Sequence, residues 1–344
     1  MMQNPDQKEN TRLSEEMLNK YASDGLPKAG GFDAAEVLSI LRLADAEDWK
    51  LSGTLQEHQF RNIRDSLSKM HVSDGYFLNY GESELIPKLS PEDWEAILSE
   101  GQENRREGFL RTVSFPASGI YAVEGEHLYL SVKTGNNAGA KKHRDTGSFI
   151  IYANHKPLLV DPGKGSEGTA ESPDFKGSAF HNLPTIEGFT ACGDPDDASG
   201  KYAALDVDLK RKEIFPGVEG YLHSMELRGC YPEEAPIETY IREIRFISDG
   251  PVEVTEHLRL RDDAFPHWEL HFMSEEKPEY LSQENTLRLG NLGRIRFDRP
   301  ILQVNIEFLD TSEDPNLHTA WQNGLYRTSI RPLGGVLRYL ISEG

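Results

Sequence analysis

The chain has 344 residues, enough for one large or two medium domains with a substantial core, and its hydrophobic fraction of 37% suits a soluble protein. A formal net charge of −20 argues against nucleic acid as a partner, because a phosphate backbone demands a basic surface. No apolar run approaches the length of a membrane span, residues 1–12 are too polar for a signal peptide, and the only cysteines, Cys192 and Cys230, are too few for a disulfide framework or a cysteine-based zinc site.

From residue 13 to about residue 110 the apolar residues recur at helical spacing. Leu13 to Tyr21 is a short amphipathic candidate, ended by Asp24-Gly25 and Pro27. Asp33 is placed to cap a helix with Glu36 three residues on, followed by Val37, Leu38, Ile40, Leu41 and Ala44. Thr54 and Glu57 repeat that pattern ahead of Phe60, Ile63, Leu67 and Met70. Ser90-Pro91-Glu92 opens another helix, carrying Trp94, Ile97 and Leu98. An array of helical hairpins is expected.

From Ile120 onwards the period changes to two. Leu128, Leu130 and Val132 alternate with Tyr129 and Ser131, as in a half-buried strand. Further strands are predicted at 221–227, 240–247, 252–260, 268–273, 301–308 and 336–341, separated by turn residues such as Asp249-Gly250-Pro251. Many strands without intervening helices indicate an antiparallel sandwich. The fold class expected is therefore α+β, a helical segment over residues 1–118 followed by a large antiparallel β-sandwich over 119–344.

The stretch from Lys141 to Asn182 concentrates the chemistry. Ile150 to Ala153 and Pro157 to Val160 flank the turn Asn154-His155-Lys156 and read as a hairpin. Gly147 and Asp161-Pro162-Gly163 then lie towards its open end, so His143 and Asp161 can approach each other, with His181 delivered by the following loop. Two imidazoles and a carboxylate suit Zn²⁺ with one position left open. The alternative is that these are ordinary hydrogen-bonded or solvated histidines. Lys133, Lys141, Lys142 and Arg144 flank the group and form a local cationic cluster able to neutralise a uronate or sulfate; the plainer reading is a solvated edge charge run.

Other motifs weigh less. On the strand from Trp268, His267, Glu269 and His271 would share a face, most simply a solvated one, and His257 lies nearby. The run Gly163 to Thr169 lacks the ending of a phosphate loop, and no G-x-S-x-G elbow occurs. Asp194, Asp196 and Asp197 do not match a calcium loop.

The string His143, Asp145, Gly147-Ser148-Phe149, then Asp161, Gly163 and His181-Asn182 resembles the C-terminal β-sandwich module of heparinase II/III-like polysaccharide lyases. That resemblance implies a Zn²⁺ held by His143, Asp161 and His181, and an acidic polysaccharide contacted by Lys141, Lys142, Arg144 and Asn182. It implies β-elimination on uronate-containing glycans, in the periplasm or outside the cell, although residues 1–12 show no export signal and leave a cytoplasmic location open. Lys141 stands where the family pattern has its first histidine, which takes part in catalysis in several members. Lys141 is therefore the candidate catalytic residue, with glycan binding its favoured role. Asp74-Gly75, Asn79 to Ser83 and the Phe115 to Tyr121 stretch resemble the late part of the family's α/α toroid and its junction into the sandwich. The helical segment is much shorter than that toroid, which points to a truncated or impaired lyase, or to a partner chain or self-association covering the incomplete toroid. The alternative function is a non-catalytic, zinc-stabilised glycan-binding or structural module.

Overall fold

The computed structural model describes residues 18–28, 31–46, 54–73, 75–102, 111–138, 143–165, 174–194, 196, 200–215, 218–247, 250–261 and 265–344. Among the described residues the complete helices that come first are α1 (Ala34–Ala46), α2 (Thr54–Met70) and α3 (Pro91–Gln102). Asp33 Oδ1 accepts the Glu36 amide at 3.0 Å and so caps α1, while Ser90 Oγ accepts the Asp93 amide at 3.2 Å and caps α3. Val37, Ile40 and Leu41 of α1, Ile63, Leu67 and Met70 of α2, and Ile97 of α3 form the buried stripes that their spacing demands. An Arg42–Asp93 ion pair ties α1 to α3. The expected helix over 13–21 lies outside the described residues up to residue 17, as do the side chains of Ala44, Thr54, Glu57 and Leu98.

The rest is antiparallel sheet. A small ribbon joins β1 (His71–Ser73) and β2 (Tyr76–Phe77). A five-stranded sheet runs in sequence order through β3 (Arg111–Phe115), β4 (Ile120–Glu124), β5 (Leu128–Lys133), β6 (Phe149–Ala153) and β7 (Lys156–Leu159). Ser118 lies in the turn between β3 and β4. The remaining strands are β8 (Pro184–Ile186), β9 (Leu205–Phe215), β10 (Val218–Glu226), β11 (Ile237–Ile247), β12 (Val252–Leu260), β13 (Trp268–Ser274), β14 (Pro278–Leu281), β15 (Thr286–Leu289), β16 (Gly293–Phe297), β17 (Ile301–Leu309), β18 (Leu325–Pro332) and β19 (Val336–Glu343). They form an eight-stranded sheet in the order β14-β15-β16-β19-β12-β11-β10-β9 and a four-stranded sheet in the order β17-β18-β13-β8.

The five-stranded sheet is apolar on both faces. Leu128, Leu130, Val132, Phe149 and Ile151 join the sandwich core with Tyr240, Ile244, Val254, Trp268 and Phe272. Ile120, Ala122, Tyr129, Ile150 and Tyr152, pointing the other way, pack with Val37, Ile63, Leu67 and Phe77 of the helical segment. A third cluster seats α4 (Pro315–Ala320), with Trp321 and Leu317 against Val160, Phe175 and Met273.

Strands β3, β8, β9, β14 to β16 and β18 were not among those expected from the pattern. β14 to β16 span only four or five residues each, close to the lower limit at which alternation signals a strand. His271 departs from the solvated reading. It is buried because β13 runs between β18 and β8, and its ring sits between Thr185 Oγ1 at 2.9 Å and Ser329 Oγ at 2.8 Å. His267 precedes the strand and is exposed.

Candidate metal centre

The hairpin β6–β7 turns through Asn154 and His155, both left-handed with φ of 47° and 66°, the backbone that a two-residue hairpin turn requires. Its open end is shaped by two glycines. Gly147 has φ +95°, and a Cβ there would meet Leu227 Cδ1 at 2.7 Å; Gly163 has φ +74°, and a Cβ there would meet Asn79 Nδ2 at 2.9 Å. Both close approaches bring polar loops over the end of the sheet.

His143, Asp161 and His181 meet there. One potential ligand atom from each lies within 4.8 Å of the other two, and all three residues are buried. The two imidazole rings are 5.5 Å apart between centroids. Asp161 Oδ1 accepts the Gly163 amide at 2.9 Å, and its Oδ2 lies 2.9 Å from His181 Nδ1. Asn79 Nδ2 donates to the Asp161 carbonyl at 2.7 Å, so a residue of the helical segment holds the turn from outside. Burial opposes a charge on His181, but the Asp161 carboxylate overrides it and raises the imidazole above its usual range.

His143 turns its Nε2 to Glu82 Oε1 at 3.2 Å, and Lys176 Nζ lies 3.2 Å from the same oxygen. The His143 hydrogen bond, reinforced by Lys176, outweighs burial and lowers the Glu82 carboxyl to about 2. Two imidazole nitrogens, His143 Nδ1 and His181 Nε2, are buried without a hydrogen-bond partner. The Lys176 carbonyl is close enough to favour a protonated His181 but outside hydrogen-bond geometry. Unpartnered buried nitrogens beside a carboxylate fit a zinc ion by donor type and by the cost that they otherwise carry.

Asn182 is fully buried. Its Nδ2 donates to the carbonyls of Phe149 at 2.6 Å and Val160 at 3.2 Å, and its Oδ1 accepts the Met273 amide at 2.9 Å, so its polar atoms face the protein and clamp the site's strands together. Arg144 lies at the surface in an ion pair with Asp174 at 2.8 Å. Lys133 donates to the Ser118 carbonyl at 2.6 Å. Lys141 and Lys142 lie outside the described residues.

On the other side of the Asp161 turn is a cavity of about 270 Å³ between the helical segment and the sandwich, lined among others by Asn79, Ser83, Glu84, Lys88, Gly163 and Lys164. Glu82, Lys176 and Asn79 were missed as site residues. Asn79 and Glu82 have the Asn79 to Ser83 string as their only sequence signal, Lys176 has none, and Glu82 stands 61 residues from its histidine.

Residues 110–222 match a family described as Heparinase II/III-like, C-terminal. No curated protein matches the chain. Among solved structures it is similar to a heparinase III with methylated lysines (TM-score 0.68, 12% identity, 97% of this chain and 54% of that one). It is also similar to heparan sulfate lyase HepC from Pedobacter heparinus (TM-score 0.65, 11% identity, 98% and 56%) and to a further heparinase III (TM-score 0.64, 13% identity, 98% and 57%). The chain thus spans a little over half the length of these structures, and at such identities the likeness is one of fold. The trio lies inside the matched segment, so the residues of the site fall where this chain is similar to the heparinase II/III-like C-terminal family.

Proposed function

We propose that this chain is a heparinase II/III-like protein acting on uronate-containing acidic glycans, with a sandwich stabilised by a zinc centre at His143, Asp161 and His181. The observation that carries the reading is the convergence of those three buried side chains inside the segment that matches the family. A zinc ion there would supply cross-linking of three chain segments. Three protein ligands leave a fourth position open, but because all three are buried the centre is read as supporting the fold rather than meeting substrate. Helices α1 to α3 are proposed as a remnant of the α/α toroid, supported by their place ahead of the sheet.

Lyase chemistry on a uronate removes the proton next to the carboxylate, which needs a base and a cation to neutralise the acid. Lys164 and Lys88, at the cavity behind the Asp161 turn, supply cations. Tyr80, the tyrosine of the adjoining loop, is buried, and burial holds its phenol well above its usual range, so it does not serve as a ready base. That favours, as second reading, a non-catalytic, zinc-stabilised glycan-binding or structural module. Metal content of the wild type and of His181→Ala, measured beside the absorbance of unsaturated uronate products on a panel of acidic glycans, separates the readings. Zinc with product establishes a lyase; zinc with saturable glycan binding and no product establishes the binding module. Absence of zinc, product and glycan binding together overturns both.

A further inference from the structure

Glu82 is the one residue of the helical segment whose side chain reaches an imidazole of the buried trio among the described residues. Its carboxylate is only 13% exposed, and the same oxygen, Oε1, meets His143 Nε2 and Lys176 Nζ, each at 3.2 Å. The His143 side chain is wholly buried, and its other nitrogen, Nδ1, has no hydrogen-bond partner. A neutral imidazole carries one N–H and one lone pair. A carboxylate accepts but does not donate, so its contact with Nε2 requires the N–H there and puts the lone pair on Nδ1. The free nitrogen is then the one left for the centre shared with Asp161 and His181.

We infer that Glu82 is a positioning residue of the proposed metal centre, selecting the Nε2–H tautomer of His143 and presenting its Nδ1 lone pair to the ion, with Lys176 fixing the carboxylate in place. The inference rests on the zinc reading above and adds to it a residue from outside the matched segment. Metal-ligating histidines commonly donate their second nitrogen to a carboxylate, and loss of that partner weakens metal binding about 10–100-fold. The competing account makes Glu82–Lys176 a rim ion pair with His143 a bystander. Such pairs contribute little, and their loss leaves a ligand's tautomer untouched.

The test uses the full chain as wild type, Glu82→Ala, Glu82→Gln and Lys176→Met. Zinc affinity is read by competition with a chromophoric chelator, and the imidazole tautomer of the metal-free protein by ¹⁵N shifts, with His143→Gln identifying the resonance. Glu82→Ala should bind zinc about 10–100-fold more weakly and lose the pure Nε2–H signature. Glu82→Gln, whose carbonyl oxygen accepts the same hydrogen, should retain the tautomer and most of the affinity; it also guards against misfolding of the alanine variant. Wild type that binds zinc with affinity equal to Glu82→Ala and an unchanged tautomer overturns the inference and spares the zinc reading. Wild type that takes up no zinc overturns both.

Discussion

Arg242 and Glu256 stand opposite each other on β11 and β12 and form an ion pair at 2.8 Å with both side chains fully buried. Tyr240 and Tyr339 donate their hydroxyls to the same carboxylate at 2.9 and 2.8 Å. From its other end, Arg242 Nη1 donates to the carbonyls of Gly147 at 2.6 Å and Asn182 at 2.8 Å. The pair thus pins from beneath the two loops that deliver His143 and His181. Glu256→Gln should cost about 3–5 kcal/mol, because it leaves a buried guanidinium without its counter-charge. Urea denaturation measures this, and a loss under about 1 kcal/mol would show that the pair is not the anchor described.

Chelation should act on stability as well as on metal content. An ion that binds only the folded state stabilises it by about 4 kcal/mol at a thousandfold excess over its dissociation constant. Wild-type protein should therefore melt lower after a chelator is added, and recover on adding zinc. His181→Ala should be indifferent to both treatments. Equal chelator responses in the two proteins would locate the ion elsewhere.

Acid should destabilise the fold through two buried histidines outside the trio. Burial alone lowers His223 to about 4, and burial together with Arg327 lowers His271 to about 3, both from 6.5. Each is neutral when folded, so the unfolded chain takes up protons first as pH falls. Stability is complete above pH 6.5, declines towards pH 4 for His223 and towards pH 3 for His271, and loses nothing further to these groups below those values. At about 1.4 kcal/mol per pKa unit, His223 accounts for a loss on the order of 3 kcal/mol. Both His223 nitrogens are buried without partners, so His223→Leu should raise stability at neutral pH by about 1 kcal/mol and flatten the acid limb. Denaturation midpoints from pH 4 to 7 test this; parallel curves for the two proteins would refute it.

Among the described residues β17 is the edge of its sheet, and it exposes Leu302, Ile306 and Phe308. Such an edge invites intermolecular pairing. Ile306→Lys should reduce light scattering on heating while leaving the melting temperature within about 2 °C, since exposed substitutions typically change stability by less than 0.5 kcal/mol. Unchanged scattering would place the sticky surface elsewhere.

Much of this molecule is readable from local pattern. β12 alternates buried and partly exposed residues almost throughout, and the hairpin around Asn154-His155 announces itself by composition. The trio was reachable because hairpin geometry links His143 to Asp161 and a short loop follows. Contacts that depend on strand register were not. Alternation alone puts Arg242 on a face with Tyr240 and Ile244, and Glu256 on one with Val254 and Leu258, but that the two charges meet emerges only when β11 and β12 are aligned. Glu82 was hidden for a related reason: it lies in another segment, and nothing in its neighbourhood signals a histidine partner 61 residues on.

The central strands β5 and β6 of the five-stranded sheet have no wetted face, since they bury one set of side chains in the sandwich and the other beneath the helices. Neither part can be removed by heat without uncovering apolar strand surface of the other. In a calorimeter the helical segment and the sandwich should therefore absorb heat in a single peak, with a van't Hoff enthalpy close to the calorimetric one.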